Sequence, residues 1–203
     1  MRTDEIRSVY DKRAKTYDRT VGLGERLLVG DLRRRFGAML TGETMEVAIG
    51  SGLNLPFYTD AVPRAVGMDL SPGMLAEARV RADKLGREIE LVEGDAEAIP
   101  FPAASFDTVG ISLALCTVPD PERALRELVR ICRPGGRIVL LEHVRAPSPL
   151  VSLPQRILSP LQERALGCHL ARPTLDTARA MGLDIEDVAT RFAGVFRLAV
   201  TRV

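Results

Sequence analysis

Three short stretches carry the residues best suited to hold a small charged ligand: Gly50-Ser-Gly52, Asp69 and Gly94-Asp-Ala96. A Gly-x-Gly turn lets the backbone approach a ligand closely and aims its amides and carbonyls at it. A pyrophosphate fingerprint would need a third small residue, and that place holds Leu55. Taking Ala48 as the start instead leaves the first glycine missing. A nicotinamide dinucleotide is therefore the poorer reading, and a nucleoside without phosphates, joined to an amino acid, is the better one. The turn would meet an ammonium and a carboxylate. Asp69, nineteen residues after Gly50, would accept both ribose hydroxyls and repel a 2′-phosphate. Asp95 would accept from an adenine amino group while the Ala96 amide donates to the ring. A lone Gly-x-Gly is more often a plain turn, and an acid before a helix is more often a cap. Three such loops in order point to a ligand.

A second set of residues could act on what the ligand delivers. Glu142-His143 follows an apolar run, and histidine is the natural base near neutral pH. An imidazole bonded to a loop carbonyl explains it equally well. Tyr10 and Tyr17, seven apart, share one helical face, so packing competes with a role for Tyr17 over the reacting atom. His169 and Arg172 precede a helix and suit either the closing of a substrate pocket or a cap and a surface charge. Cys116, Cys132 and Cys168 are widely spaced with no C-x-x-C, so neither a disulfide framework nor a metal site is expected. Each reads as a small buried residue.

These residues need a scaffold that brings several strand ends to one edge. Apolar runs at 44–49, 64–69, 89–93, 106–113 and 137–142 read as strands, with helices at 72–86 and 122–132 between them. Strands alternating with helices mean βαβ units and a parallel sheet covered on both faces. Residues 4–40 read as helices broken at Gly22-Leu-Gly24. After the fifth strand, 146–161 holds Pro147, Pro149, Pro154 and Pro160 among Leu, Val and Ile. It is too apolar for a free linker and too proline-rich for a regular element. It is the candidate lid, with a dimer contact or a membrane-facing surface as alternatives. A helix at 174–181 and runs at 184–190 and 195–203 add an antiparallel hairpin. The expected fold is α/β, a Rossmann-like doubly wound sheet of seven strands, mostly parallel with an antiparallel last strand. The chain is expected to be one domain: 1–40 a helical cover, 44–145 the ligand-binding core, 146–172 the lid and substrate segment, 173–203 the helix and hairpin.

Composition narrows the classes. The 203 residues are 46% hydrophobic and 27% charged with a net charge of +1, ordinary for a globular chain. No global field draws nucleic acid and no aromatic–basic platform would bind it, so no such partner is expected. The N-terminus lacks the apolar core of a signal peptide, and no window approaches the ~18 apolar residues of a spanning helix. A cytoplasmic monomer or homodimer is expected, with peripheral membrane contact left open.

Four motifs in order, EVAIGSGLNLPFY, GMDLSPGML, EGDAEAIPFPAASFDTV and LVRICRPGGRIVLLEHV, resemble class I S-adenosylmethionine-dependent methyltransferases over roughly residues 10–145. The resemblance implies S-adenosylmethionine as cofactor and S-adenosylhomocysteine as product. It implies that Gly50, Ser51 and Gly52 line the methionine part, with Asn54 nearby. Asp69 and Leu70 would hold the ribose, Met74 would pack near the adenine, and Asp95 and Ala96 would bind its edge. Ser112 would meet the ammonium through its backbone. Ala48 stands where the family usually has the first glycine of E-x-G-x-G, while Glu46 keeps the acidic place.

The stretch from Tyr10 to Asp18 resembles the opening of the quinone-biosynthesis C-methyltransferases, which implies N-terminal helices over the cofactor and Tyr17 over the reacting methyl. Leu115-Cys-Thr-Val-Pro119, Leu141-Glu-His-Val144 and Gly167-Cys-His-Leu-Ala-Arg172 resemble the methyltransferase-like seven group of thiol S-methyltransferases. The expected activity is methyl transfer to a small apolar acceptor, a thiol first. Carbon or oxygen of a quinol or phenol is second, and a phospholipid amine third. His143 and Tyr17 are the catalytic candidates, and His169 and Arg172 join them in binding substrate. Arsenite methylation would want paired thiols, which this spacing does not offer. A cofactor-binding interaction module that does not methylate is the non-enzyme alternative.

Overall fold

The computed structural model describes the backbone of residues 1–203 and every side chain except those of Leu23 and Arg26. Seven strands form one sheet: β1 (Glu43–Val47), β2 (Arg64–Asp69), β3 (Glu90–Glu93), β4 (Phe106–Ser112), β5 (Cys132–His143), β6 (Glu186–Arg191) and β7 (Phe196–Arg202), in the order β3-β2-β1-β4-β5-β7-β6. β1 to β5 run parallel, and β7 lies antiparallel between β5 and β6. This is the expected doubly wound sheet with its hairpin. The direction of winding reverses between β1 and β4, so the loops after β1 to β4 open at one carboxyl edge, where such folds bind ligands.

Helices α1 (Thr3–Leu28), α2 (Leu32–Met39), α3 (Pro72–Lys84), α4 (Pro121–Ile131), α5 (Pro149–Leu166) and α6 (Thr174–Ala180) surround the sheet. The α3 helix starts as its sequence dictates: Pro72 sits in the first turn, and the Ser71 hydroxyl accepts from the Met74 amide at 3.1 Å. Asp120 caps α4 in the same way, through the Arg123 amide at 2.9 Å. Along β5 the buried side chains alternate. Ile138 and Leu140 join Leu125, Leu128 and Ile131 of α4 in one core, while Val139 and Leu141 join Leu32 and Phe36 of α2 in the other.

Two expectations about helices are corrected. The α1 helix runs through Gly22 and Gly24 to Leu28, and the break comes at Gly30, with φ +60°. An interior glycine costs only ~1 kcal/mol, and a Glu25–Arg33 ion pair ties the last turn of α1 to α2. The proline-rich stretch is also a regular element, the 18-residue helix α5, with Pro154 and Pro160 inside it. Pro149 occupies a first-turn position, where its missing N–H is no loss. The Gln155 amide then bonds the Ala146 N–H and the Val144 and Leu170 carbonyls, fixing the helix to the chain on either side.

Candidate active site

The turn after β1 needs the left-handed backbone that glycine tolerates. Gly50 has φ +59° and Gly52 φ +77°. A Cβ on Gly50 would meet nothing within 4 Å, so its side of the turn faces open space. A Cβ on Gly52 would strike Leu55 at 2.7 Å. Ala48 is left-handed too, with φ +55°, at the position where the resembling family carries glycine.

Asp69 closes this turn onto the end of β2. Its Oδ2 accepts the Gly50 amide at 2.8 Å and its Oδ1 the Ser71 amide at 2.9 Å. Burial pushes its pKa up to about 6 against the pull of these amides. Each carboxylate oxygen still has a second acceptor position, so the group is set to receive two vicinal hydroxyls. Beyond β3, Asp95 accepts the Glu97 amide at 2.9 Å and stands beside Ala96.

Gly50, Ser51, Asp69, Leu70, Met74, Asp95, Ala96 and Ser112 all line one cavity, open at its mouth. Its other wall is α1, through Thr3, Ile6, Arg7, Tyr10 and Tyr17, together with Ala114 and Thr117–Pro119 from the loop after β4. The two tyrosine rings stand 6.2 Å apart on one face of α1, as their spacing requires, and burial raises both phenol pKa values.

Five expected site residues do not line the cavity. Gly52 packs on Leu55. Asn54 is buried beneath the turn, donating to Glu46 Oε1 at 2.5 Å and Ser112 Oγ at 2.7 Å, and accepting from Arg33 at 2.8 Å. It braces the turn. Glu46 also receives the Tyr58 hydroxyl, and burial lifts its pKa to about 7. His169 faces Glu163 at 3.4 Å on the surface. Arg172 donates to the carbonyls of Leu115 at 2.6 Å and Val118 at 2.5 Å. It holds the wall loop from behind, where its charge is satisfied by carbonyls rather than by substrate.

His143 is the fifth residue that does not line the cavity. It sits behind that loop, with Nε2 3.1 Å from Cys168 Sγ and no partner for Nδ1. Burial opposes its charging, but the Cys116 sulfur and Glu142 push its pKa up to about 9. Neighbouring Glu142 takes the amides of Ala114 and Leu115 on Oε1, each at 3.1 Å. Burial raises its pKa to about 8.

Sequence reasoning missed the residues that fasten the α1 wall to the ligand loops. Asp11 accepts the Ser71 hydroxyl at 2.5 Å and the Gly73 amide at 2.9 Å. Asp18 accepts the Ser51 hydroxyl at 2.5 Å and pairs with Arg81, whose Nε donates to the Ser51 carbonyl at 2.8 Å. The signal is the two Tyr-Asp pairs, Tyr10-Asp11 and Tyr17-Asp18, each of which sets an acid beside a ring that lines the cavity. Arg33 also reaches the cavity, held by Glu25.

Comparison with known proteins agrees with this geometry. The family model described as a methyltransferase domain matches residues 45–140. The chain is 38% identical over 143 residues to a phosphatidylethanolamine N-methyltransferase of Cereibacter sphaeroides, covering 68% of this chain and 69% of that one. It is 36% identical over 148 residues to a demethylmenaquinone methyltransferase of Renibacterium salmoninarum, of which it spans 60%. Among solved structures, a SAM-dependent methyltransferase of Thermotoga maritima superposes with a TM-score of 0.70 at 21% identity, over 96% of this chain and 98% of that one. The chain belongs to the class I S-adenosylmethionine-dependent methyltransferases. Its cofactor is S-adenosylmethionine. No helix of the described residues is long and apolar enough to cross a membrane.

Proposed function

We propose that this enzyme methylates a small, largely apolar acceptor held between the cofactor loops and α1, and that the acceptor atom is a thiol sulfur. The cofactor residues are assigned as follows: Gly50 and Ser51 at the methionine part, Asp69 and Leu70 at the ribose, Asp95, Ala96 and Met74 around the adenine. Ser112 is assigned to the ammonium. The sulfonium of the cofactor supplies the electrophilic methyl. The chain must bring the nucleophile in line with it and exclude water.

The observation that carries the acceptor class is the make-up of the wall. Among the described residues lining the cavity there is no His, Lys, Glu or Cys, and the two tyrosines are held as neutral phenols. The two carboxylates present, Asp69 and Asp95, are assigned to the cofactor. An acceptor that ionises unaided suits such a wall. A thiol, with a pKa of ~8.5, supplies its own thiolate near neutrality, whereas a phenol near ~10 needs a base. Tyr17 is then a shape and orientation residue beside the reacting methyl. A second reading, a quinol carbon or a phospholipid amine, is favoured by the names of the two relatives. A labelled-methyl screen over thiols, quinols, phenols and amines decides. Turnover of apolar thiols that rises with pH up to the thiol pKa is expected, and exclusive turnover of quinols or lipid amines would replace this reading by the second.

A further inference from the structure

Behind the wall loop lies a buried cluster that methyl transfer does not use. Cys116 comes from the loop after β4, His143 from the end of β5, and Cys168 from the turn after α5. Cys168 Sγ is 3.7 Å from Cys116 Sγ and 3.1 Å from His143 Nε2, and the three atoms all lie within 4.8 Å of one another. Each residue is under 10% exposed.

Two thiols and an imidazole meeting from three separate segments make a donor set for a borderline-soft ion. The spacing matches too. An ion with sulfur at ~2.3 Å in tetrahedral geometry spans a sulfur–sulfur edge of about 3.7 Å, and a sulfur–nitrogen edge of about 3.5 Å. The first is already present, and the second requires the imidazole to retreat by a few tenths of an ångström.

We propose that Cys116, His143 and Cys168 bind one zinc-type divalent ion, leaving the fourth position to water or another small ligand. Binding as two thiolates and a neutral imidazole releases the thiol protons to solvent, with no change of oxidation state. Because the ligands come from three segments, the ion would clamp residues 167–172 onto the loop that walls the cavity. Two existing contacts already lie along that seam, the His169 amide on the Cys116 carbonyl at 2.9 Å and Arg172 on Leu115.

The test is a titration of the reduced, metal-stripped full chain with Co²⁺, followed by Zn²⁺. The expected result is one equivalent of bound Co²⁺ with thiolate-to-cobalt charge-transfer absorption and the intense visible bands of a tetrahedral site, all bleached by Zn²⁺. The thermal midpoint should rise with Zn²⁺, as for any ligand of the native state alone. Cys132→Ser should behave as the parent, since Cys132 lies apart with its sulfur 3.6 Å from the Arg137 carbonyl. Cys116→Ser and Cys168→Ser should each weaken Co²⁺ binding at least a hundredfold and lose the midpoint shift. No tetrahedral bands in the folded, reduced parent would overturn the proposal, whatever the variants do. So would bands that persist unchanged in Cys168→Ser, or mass spectrometry of freshly isolated protein showing a quantitative Cys116–Cys168 disulfide.

Discussion

Helices α1 and α5 both flank the carboxyl edge of the sheet, yet they are held in opposite ways. The α1 helix buries Ile6 and Ala14 and is tied at Asp11 and Asp18 to the loops that carry Ser71, Gly73 and Ser51. The α5 helix has no buried residue, and Leu150, Leu153, Ile157, Leu158 and Leu161 all stand exposed. Its ties run to the backbone of its own flanks, through Gln155 and Ser159. A helix fastened to the ligand loops by charged acceptors shares their free energy, so it should order with the cofactor and report its loss. A helix fastened only to its flanks should be thermodynamically indifferent to the cofactor.

The largest effect expected on this contrast is at Asp69 itself. Asp69→Ala removes the acceptor assigned to both ribose hydroxyls and the brace on Gly50. It should weaken S-adenosylmethionine by about 1.5–3 kcal/mol, roughly 10- to 150-fold, the range for hydrogen bonds to charged groups. Gln155→Ala, which loosens α5, should leave cofactor affinity within about twofold. Calorimetry on the folded variants checks both, and an unaltered affinity in Asp69→Ala would remove that residue from the ribose.

Next comes the α1 tie. Asp18→Ala takes the acceptor from Ser51 and the partner from Arg81. Its carboxylate is 44% exposed, so solvent replaces part of what is lost. A loss of about 1 kcal/mol in cofactor binding, near fivefold, is expected. The acceptor KM should rise with it, because Tyr17 lies on the same turn of helix. If KM rises while cofactor affinity is untouched, α1 is a substrate wall alone and its coupling to the loops is absent.

These contrasts also mark what could be read before the structure. Asp69 was legible because an acid at the end of the second strand must face the crevice once the alternation of strands and helices is recognised. The turn at Gly50 was legible for the same reason, and so was the β6–β7 hairpin, from its two runs around Ala193-Gly194. The α5 helix was not, because Pro154 and Pro160 argue against regular structure locally, while what holds it is Gln155 reaching Val144 and Leu170. The end of α1 was missed because two glycines cost a helix less than the following left-handed Gly30 does. The Cys116–Cys168 approach was invisible, since 52 residues separate two sulfurs that share no local motif. His143 lies at the strand end its sequence position implies, but its ring turns to Cys168 rather than to the cavity, a matter of side-chain direction that periodicity alone does not settle at the end of β5.

A smaller effect follows from pH. Asp69 titrates at about 6, above the ordinary 3.8, because burial disfavours its charge, with Asp11 adding to the rise. A raised carboxylate destabilises the cofactor-free fold above its pKa, so acidification from pH 6 towards 4 should stabilise that state through this group. Cofactor binding has the opposite sign, because ribose hydroxyls need an ionised acceptor. Affinity should be flat above pH 7 and fall by up to about tenfold per unit below 6. In Asp69→Asn that fall should vanish, and a parent affinity that is flat down to pH 5 would mean that the bound carboxylate never protonates.

The smallest expected effect isolates the backbone of the turn from its ligand. Ala48 and Gly50 share nearly the same left-handed φ, +55° and +59°. An L-residue there costs roughly 1–2 kcal/mol against glycine, while glycine gives up ~0.5–1 kcal/mol through its freer unfolded chain. Ala48→Gly should therefore stabilise the protein by about 0.5–1 kcal/mol, a rise in Tm of roughly 1–4 °C for a chain of this size. It should leave cofactor affinity alone, because the turn already has the right shape. Gly50→Ala reverses the balance. Its methyl meets no protein atom within 4 Å, so the fold loses about 1 kcal/mol from backbone strain alone. The same methyl points into the space assigned to the methionine moiety, and cofactor affinity should fall by more than that strain accounts for. Thermal melts with and without S-adenosylmethionine separate the two terms. If Gly50→Ala loses stability but binds the cofactor as the parent does, the methionine part lies elsewhere along the turn, and only the conformational argument for Gly50 stands.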